Sequence, residues 1–161
     1  MEGWDNFFLG QVGASAALAG LLFVAVSLNA SRILALPMLP DRALAALSLL
    51  LAILVVSSLM LIPGQPWNIV GAGMLAVGVG LSALGIALAL RSRGDIGSAG
   101  RAKTTTNFVL FAAAVLPYAA GGLAMLAGAE GAGVYFVATA IVLSFIKAVL
   151  DAWVLLIEIN R

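Results

Sequence analysis

Residues 43–90 read ALAALSLLLAILVVSSLMLIPGQPWNIVGAGMLAVGVGLSALGIALAL, a run bounded by Arg42 and Arg91 that contains no charge. A helix crosses a hydrocarbon core of about 30 Å with roughly 20 apolar residues, so this run is long enough for two crossings. The segment IPGQPWN, Ile62 to Asn68, divides it. Two prolines and a glycine there stop a helix and favour a tight turn. The run therefore predicts a helical hairpin, with helices at about 43–61 and 69–90. Trp67 falls at the membrane interface, where an amphipathic ring is favoured.

On the N-terminal side, residues 6–31 carry no charge and predict a first helix at about 7–36, ended by Pro37 and Pro40. The leading MEGWDNFF is acidic where a secretory signal is positive, and the apolar run behind it is too long for a signal core, so no cleavage is expected. On the C-terminal side, residues 91–107 form the longest polar connection. Gly94, Gly97 and Gly100 make it flexible, and Thr104, Thr105, Thr106 and Asn107 are suited to cap the next helix. That helix is expected at about 106–127. AGAEGAG, Ala127 to Gly133, then turns the chain into a last helix at about 134–157. The expected fold class is all-α: an integral membrane bundle of five transmembrane helices, one transmembrane domain over residues 1–161.

The charges orient this bundle. Arg32 and Arg42 flank the first polar break, Arg91, Arg93, Arg101 and Lys103 fill the third, and Arg161 ends the chain. The second and fourth breaks hold no cation. Lys and Arg are retained in cytoplasmic loops, which puts the C-terminus in the cytoplasm and the N-terminus outside. The fifth crossing is the one whose insertion is most evenly balanced. Lys147 and Asp151 each cost about 2.5–3.5 kcal/mol at a helix centre, and each Leu, Ile, Val or Phe returns roughly 0.3–0.6 kcal/mol. Fourteen such residues between Val134 and Ile157 roughly offset the two charges, so pairing with neighbouring helices tips the result towards five spans rather than four.

Composition narrows the function classes. Hydrophobic residues make up 63% of the chain and charged residues 9%, with a mean hydropathy of +1.17, more oil than a soluble domain uses. Nearly all 161 residues are consumed by spans, which leaves no separate catalytic module. Cys and His are both absent. That removes disulfides, thiolate chemistry, imidazole-held zinc or haem, and a histidine-activated serine. No cofactor, metal or nucleic acid is expected. The partners expected are the lipid bilayer and other integral membrane proteins, or further copies of the chain.

Small residues recur at four-residue spacing, with Gly10 and Ala14, Gly13 and Ala17, and Ala16 and Gly20 on the first helix. The third has Gly78 and Ser82, then Gly85 and Ala89. Such stripes let helix backbones approach closely in lipid. They serve either a specific association face or ordinary packing within a bundle, and in a chain this rich in Ala and Gly ordinary packing is the simpler account. Pro117 lies near the middle of the fourth helix, where it frees the carbonyl of Ala113 and makes a candidate kink. Neighbouring helices or a hydroxyl commonly satisfy such a carbonyl.

The fifth helix carries the strongest chemical signal. Ser144, Lys147, Asp151 and Glu158 recur at spacings of three, four and seven and so share one face. Lys147 and Asp151, four apart, are placed to form an ion pair. Counted from the cytoplasmic boundary, Asn29, Ser48 and Ser82 on the first three helices lie at a depth similar to Asp151, which predicts a polar layer. Arg32 is the cation expected to reach Asp151 or Glu158 from the first helix. As a functional element the layer would be a proton or ion pathway; as a structural one, a neutralised pair that sets helix register. The structural account is preferred because a pathway needs several charged stations, and the remaining members are hydroxyls and amides.

Enzyme chemistry finds little support. A serine activated by Lys147 would need a neutral lysine, which Asp151 opposes. An aspartyl protease in the membrane needs two opposed carboxylates, and only Asp151 lies deep in a span. Four cations in the third connection suit lipid headgroups or phosphate, but orientation alone accounts for them.

The run FFLGQVGASAALAGLLFVAVSLNASRILALPMLPDRA, residues 7–43, followed by LVVSSLMLIPGQP, residues 54–66, resembles a group of small bacterial membrane proteins. Gly13, Ala14, Ser15, Gly20, Phe23, Val24, Ser27, Asn29, Arg32 and the turn from Pro63 to Pro66 carry the resemblance. Some members bear the label of modulator of the FtsH membrane protease. The resemblance implies a multi-span protein of the bacterial cytoplasmic membrane and carries over no functional residue. The expectation is a non-enzymatic helper acting through helix contacts with membrane partners, possible partners including a membrane protease. The rival is a small homo-oligomeric channel or transporter built on Lys147 and Asp151.

Overall fold

The computed structural model describes residues 3–36, 38–91 and 98–159, the side chains of 98–104 and 159 excepted. Pro37, Arg93, Gly94, Gly97 and Arg161, and the side chains of Arg101 and Lys103, lie outside the described residues. Among the described residues there are six α-helices and no strand: α1 (Asp5–Leu28), α2 (Ala30–Ala35), α3 (Leu39–Met60), α4 (Trp67–Arg91), α5 (Ser98–Leu126) and α6 (Glu130–Ile159). Five of them, all but α2, are long and apolar enough to cross a membrane.

Local chemistry moves several boundaries from where the sequence put them. The first helix is not continuous to residue 36. At Asn29 the backbone leaves the helical region, with φ −111° and ψ 17°, and the side-chain Nδ2 donates to the Ala25 carbonyl at 2.9 Å. An asparagine side chain that competes for a helix acceptor favours a break. Pro40 does not end this segment. It sits in the first turn of α3, where its missing N–H costs nothing.

The connection after α4 is shorter than expected because α5 begins at Ser98. Ala, Arg and Lys are good helix formers and carry the helix past Gly100. Thr104 to Asn107 are consequently inside α5 rather than at its cap. The last turn is made by Gly128, with φ +82°, whose N–H donates to the Met125 carbonyl at 3.1 Å while the Ala129 N–H donates to Ala124 at 2.9 Å. This pair of bonds closes the end of α5 as a Schellman motif, and glycine is there because the left-handed backbone excludes a Cβ at low cost. α6 then starts at once at Glu130, an acid suited to a helix N-terminus.

The chain divides into two compact units, one of Met1–Gln65 with Phe145–Arg161 and one of Pro66–Ser144. In the first, α3 is the most buried helix, with Ala46, Leu49, Ile53 and Val56 fully enclosed. α1 packs on α3 and buries only Phe8, Ser15 and Leu22. Those three are seven residues apart, so α1 offers a single narrow seam.

In the second unit α4 and α5 meet almost backbone to backbone. A Cβ on Gly78 would lie 2.7 Å from the Ala119 nitrogen, and one on Gly122 would lie 2.6 Å from the Gly71 carbonyl. Only small residues permit that approach. Gly121 and Gly133 do the same where α5 meets the first half of α6, a Cβ on either falling 3.0 Å from the other's carbonyl.

Candidate functional site

The buried positions of α6 fall on one stripe: Val134, Val137, Ala140, Ile141, Ser144, Lys147, Ala148, Asp151 and Leu155. Spacings of three and four place them on one face of the helix. Three of these residues are polar, and two of those are charged. Lys147 and Asp151 are 3% and 2% exposed, which is the burial of a core leucine. A charge at that depth is tolerated only when paired. Lys147 Nζ donates to Asp151 Oδ2, as the four-residue spacing requires. Lysine precedes aspartate here, the less favourable order for an isolated helix pair. Helical spacing places the two side chains together and burial holds them paired, without help from helix electrostatics.

The other carboxylate oxygen faces a second cation. Arg42 Nη1 on α3 lies 3.7 Å from Asp151 Oδ1, and the arginine side chain is 23% exposed. That distance is an ion pair but exceeds hydrogen-bond reach. Two cations therefore share one anion. Buried Ala43, Ala45, Ala46 and Leu49 follow Arg42 on α3, and buried Ala148 and Leu155 flank Asp151 on α6.

Sequence reasoning used Arg42 only as a flanking charge. It missed Arg42 as a site residue because the second helix was started at residue 43; with α3 beginning at Leu39, Arg42 is already inside the helix. Pro40 followed by an acid, Asp41, was the available signal, since both are favoured in a first helical turn. The cation facing Asp151 from another helix is thus Arg42, in the place proposed for Arg32, which is exposed on α2.

The rest of the expected polar layer is divided between the two units, and the hydrogen bonds that its members make in each are local to that unit. Asn29 spends its side-chain amide on Ala25, and Ser82, in the second unit, donates to its own Gly78 carbonyl at 2.7 Å. Ser48 and Glu158 are half-buried, and neither pairs with Lys147, Asp151 or Arg42 among the described residues. Ser144 belongs to the second unit, where its hydroxyl donates to the Ala114 carbonyl on α5 at 3.4 Å. A hydroxyl does reach the carbonyls beside Pro117, but it bonds Ala114 rather than the freed Ala113, which is exposed. α5 continues through Pro117 to Leu126. One turn away the Tyr118 hydroxyl is fully buried and makes no well-formed hydrogen bond among the described residues, although Ser144 stands close enough to act on it.

No group of three or more metal-ligating side chains occurs among the described residues. The arrangement around Asp151 holds a carboxylate between two cations. No protein-family model, curated protein or solved structure matches the chain.

Proposed function

We propose that this chain is a five-span protein of a bacterial cytoplasmic membrane, N-terminus outside and C-terminus inside. It acts without catalysis as a helper that contacts other membrane proteins, a membrane protease among them, or its own copies. One contrast carries this reading. Gly71, Gly78 and Gly85 of α4 and Gly121 and Gly122 of α5 are consumed by internal packing, whereas a Cβ on Gly10, Gly13 or Gly20 of α1 would meet nothing within 4 Å among the described residues. In lipid, a helix face lined by glycine and alanine is built for close approach of another helix. The Arg42–Asp151 pair supports the topology, since charge distribution independently puts the start of α3 and the end of α6 on the cytoplasmic side.

The chain has no cysteine, so single cysteines can be placed without background. A cysteine replacing Gly13 should cross-link to a neighbour in intact membranes, and Gly13→Leu should abolish association while leaving the fold intact. Absence of adducts at every exposed α1 position would remove the reading.

The channel reading draws on the burial of two charges in α6. It requires a homo-oligomer and proton or ion flux in vesicles that Lys147→Leu with Asp151→Leu removes while assembly persists. Mutual neutralisation of Lys147 and Asp151 favours instead a pair that holds α6 in register.

A further inference from the structure

We infer that the Arg42 guanidinium is a binding site for a phosphate oxyanion, either a lipid headgroup or free phosphate. Lys147 already neutralises Asp151 through Oδ2, so the carboxylate has little charge left for a second cation. The Arg42 side chain faces Oδ1 at 3.7 Å and makes no hydrogen bond among the described residues. Its five N–H donors are unspent, although three-quarters of the side chain is enclosed. Neither half-buried Asp41 nor half-buried Glu158 pairs with it among the described residues. A guanidinium with that much unspent capacity takes an oxyanion, and its planar fork matches two oxygens of one phosphate.

Each member of the trio then has a part. Arg42 binds. Asp151 Oδ1 faces the guanidinium as a competing anion without sharing a proton with it, and Lys147 keeps Asp151 from cancelling the charge that the ligand reads. The site stands in the first turn of α3, just before the uncharged run begins, which is headgroup depth if α3 crosses the membrane. Only the lipid source depends on the membrane reading; the site does not.

The test uses the full chain, delipidated in neutral detergent. Native mass spectrometry follows titration with phosphatidylglycerol, and calorimetry follows titration with inorganic phosphate. Arg42→Gln should weaken binding at least about tenfold, the loss expected for a charge-assisted contact. The other two variants should move it in opposite directions. Lys147→Gln returns the Asp151 charge to Arg42 and weakens binding; Asp151→Asn removes the competing anion and strengthens it. Tight binding of inorganic phosphate supports the site with a soluble source, and binding of phosphatidylglycerol alone supports it with a headgroup source. Failure of wild type to bind either probe, or an Arg42→Gln variant that binds as wild type does, overturns the inference. So does a shift of the same sign for Lys147→Gln and Asp151→Asn. Should Asp151→Asn not fold, Arg42→Lys replaces it, with intermediate binding expected because the point charge survives without the fork; binding equal to wild type would count against the site.

Discussion

Asp151 is held from two sides by residues of different origin: Lys147, one turn earlier on the same helix, and Arg42, on a helix near the start of the chain. The first contact is dictated by helix geometry and the second by tertiary packing, so the two respond differently to substitution.

Removing the carboxylate alone leaves Lys147 buried beside another cation. Asp151→Leu should destabilise the fold by about 3–5 kcal/mol, the usual cost of orphaning a buried charge. Replacing both partners by leucine should cost far less and is often neutral. Reversible unfolding in sodium dodecyl sulfate, followed by tryptophan fluorescence, measures both. If the double variant is as unstable as Asp151→Leu, the pair does not act as a unit.

Glycine positions on α4 should divide sharply. Gly78→Ala puts a methyl 2.7 Å from the Ala119 backbone nitrogen, which must move, whereas a Cβ on Gly80 meets nothing within 4 Å. The first substitution should cost about 1–3 kcal/mol and the second stay within about 0.5 kcal/mol. Equal costs in the same unfolding assay would mean that α4 and α5 are not in backbone contact.

Tyr118 offers a substitution that should do no harm. Its hydroxyl is buried and has only a weak interaction with Ser144 among the described residues, so Tyr118→Phe deletes a poorly satisfied group and keeps the ring. Stability should be unchanged or rise by up to about 1 kcal/mol. A loss larger than that would reveal an acceptor serving the hydroxyl.

Orientation is open to direct labelling. Cysteines replacing Gln65 or Ala129 should react with an impermeant maleimide added outside intact cells, and one replacing Ser98 should react only after permeabilisation. Labelling of the Ser98 position from outside would invert the topology and with it the placement of Arg42 at the cytoplasmic side.

What the sequence determined by itself is local. Apolar length set the five long helices, Pro63, Gly64 and Pro66 set the break between α3 and α4, and the spacing of Ser144, Lys147 and Asp151 set a common face on α6, because helix period and turn stereochemistry act over a few residues. The break at Asn29 and the early start of α5 were harder to read, since one side-chain hydrogen bond or a few good helix formers decide such boundaries. Tertiary structure alone decided which small-residue stripe is used. Those of α1 and α4 look alike in sequence, yet Gly78 meets Ala119 and Gly13 meets nothing, because a stripe only permits close approach and the helix opposite must supply it. It also chose Arg42 as the cation facing Asp151, since a pairing between distant helices depends on how α3 and the end of α6 are brought together, and no periodicity within either helix encodes that.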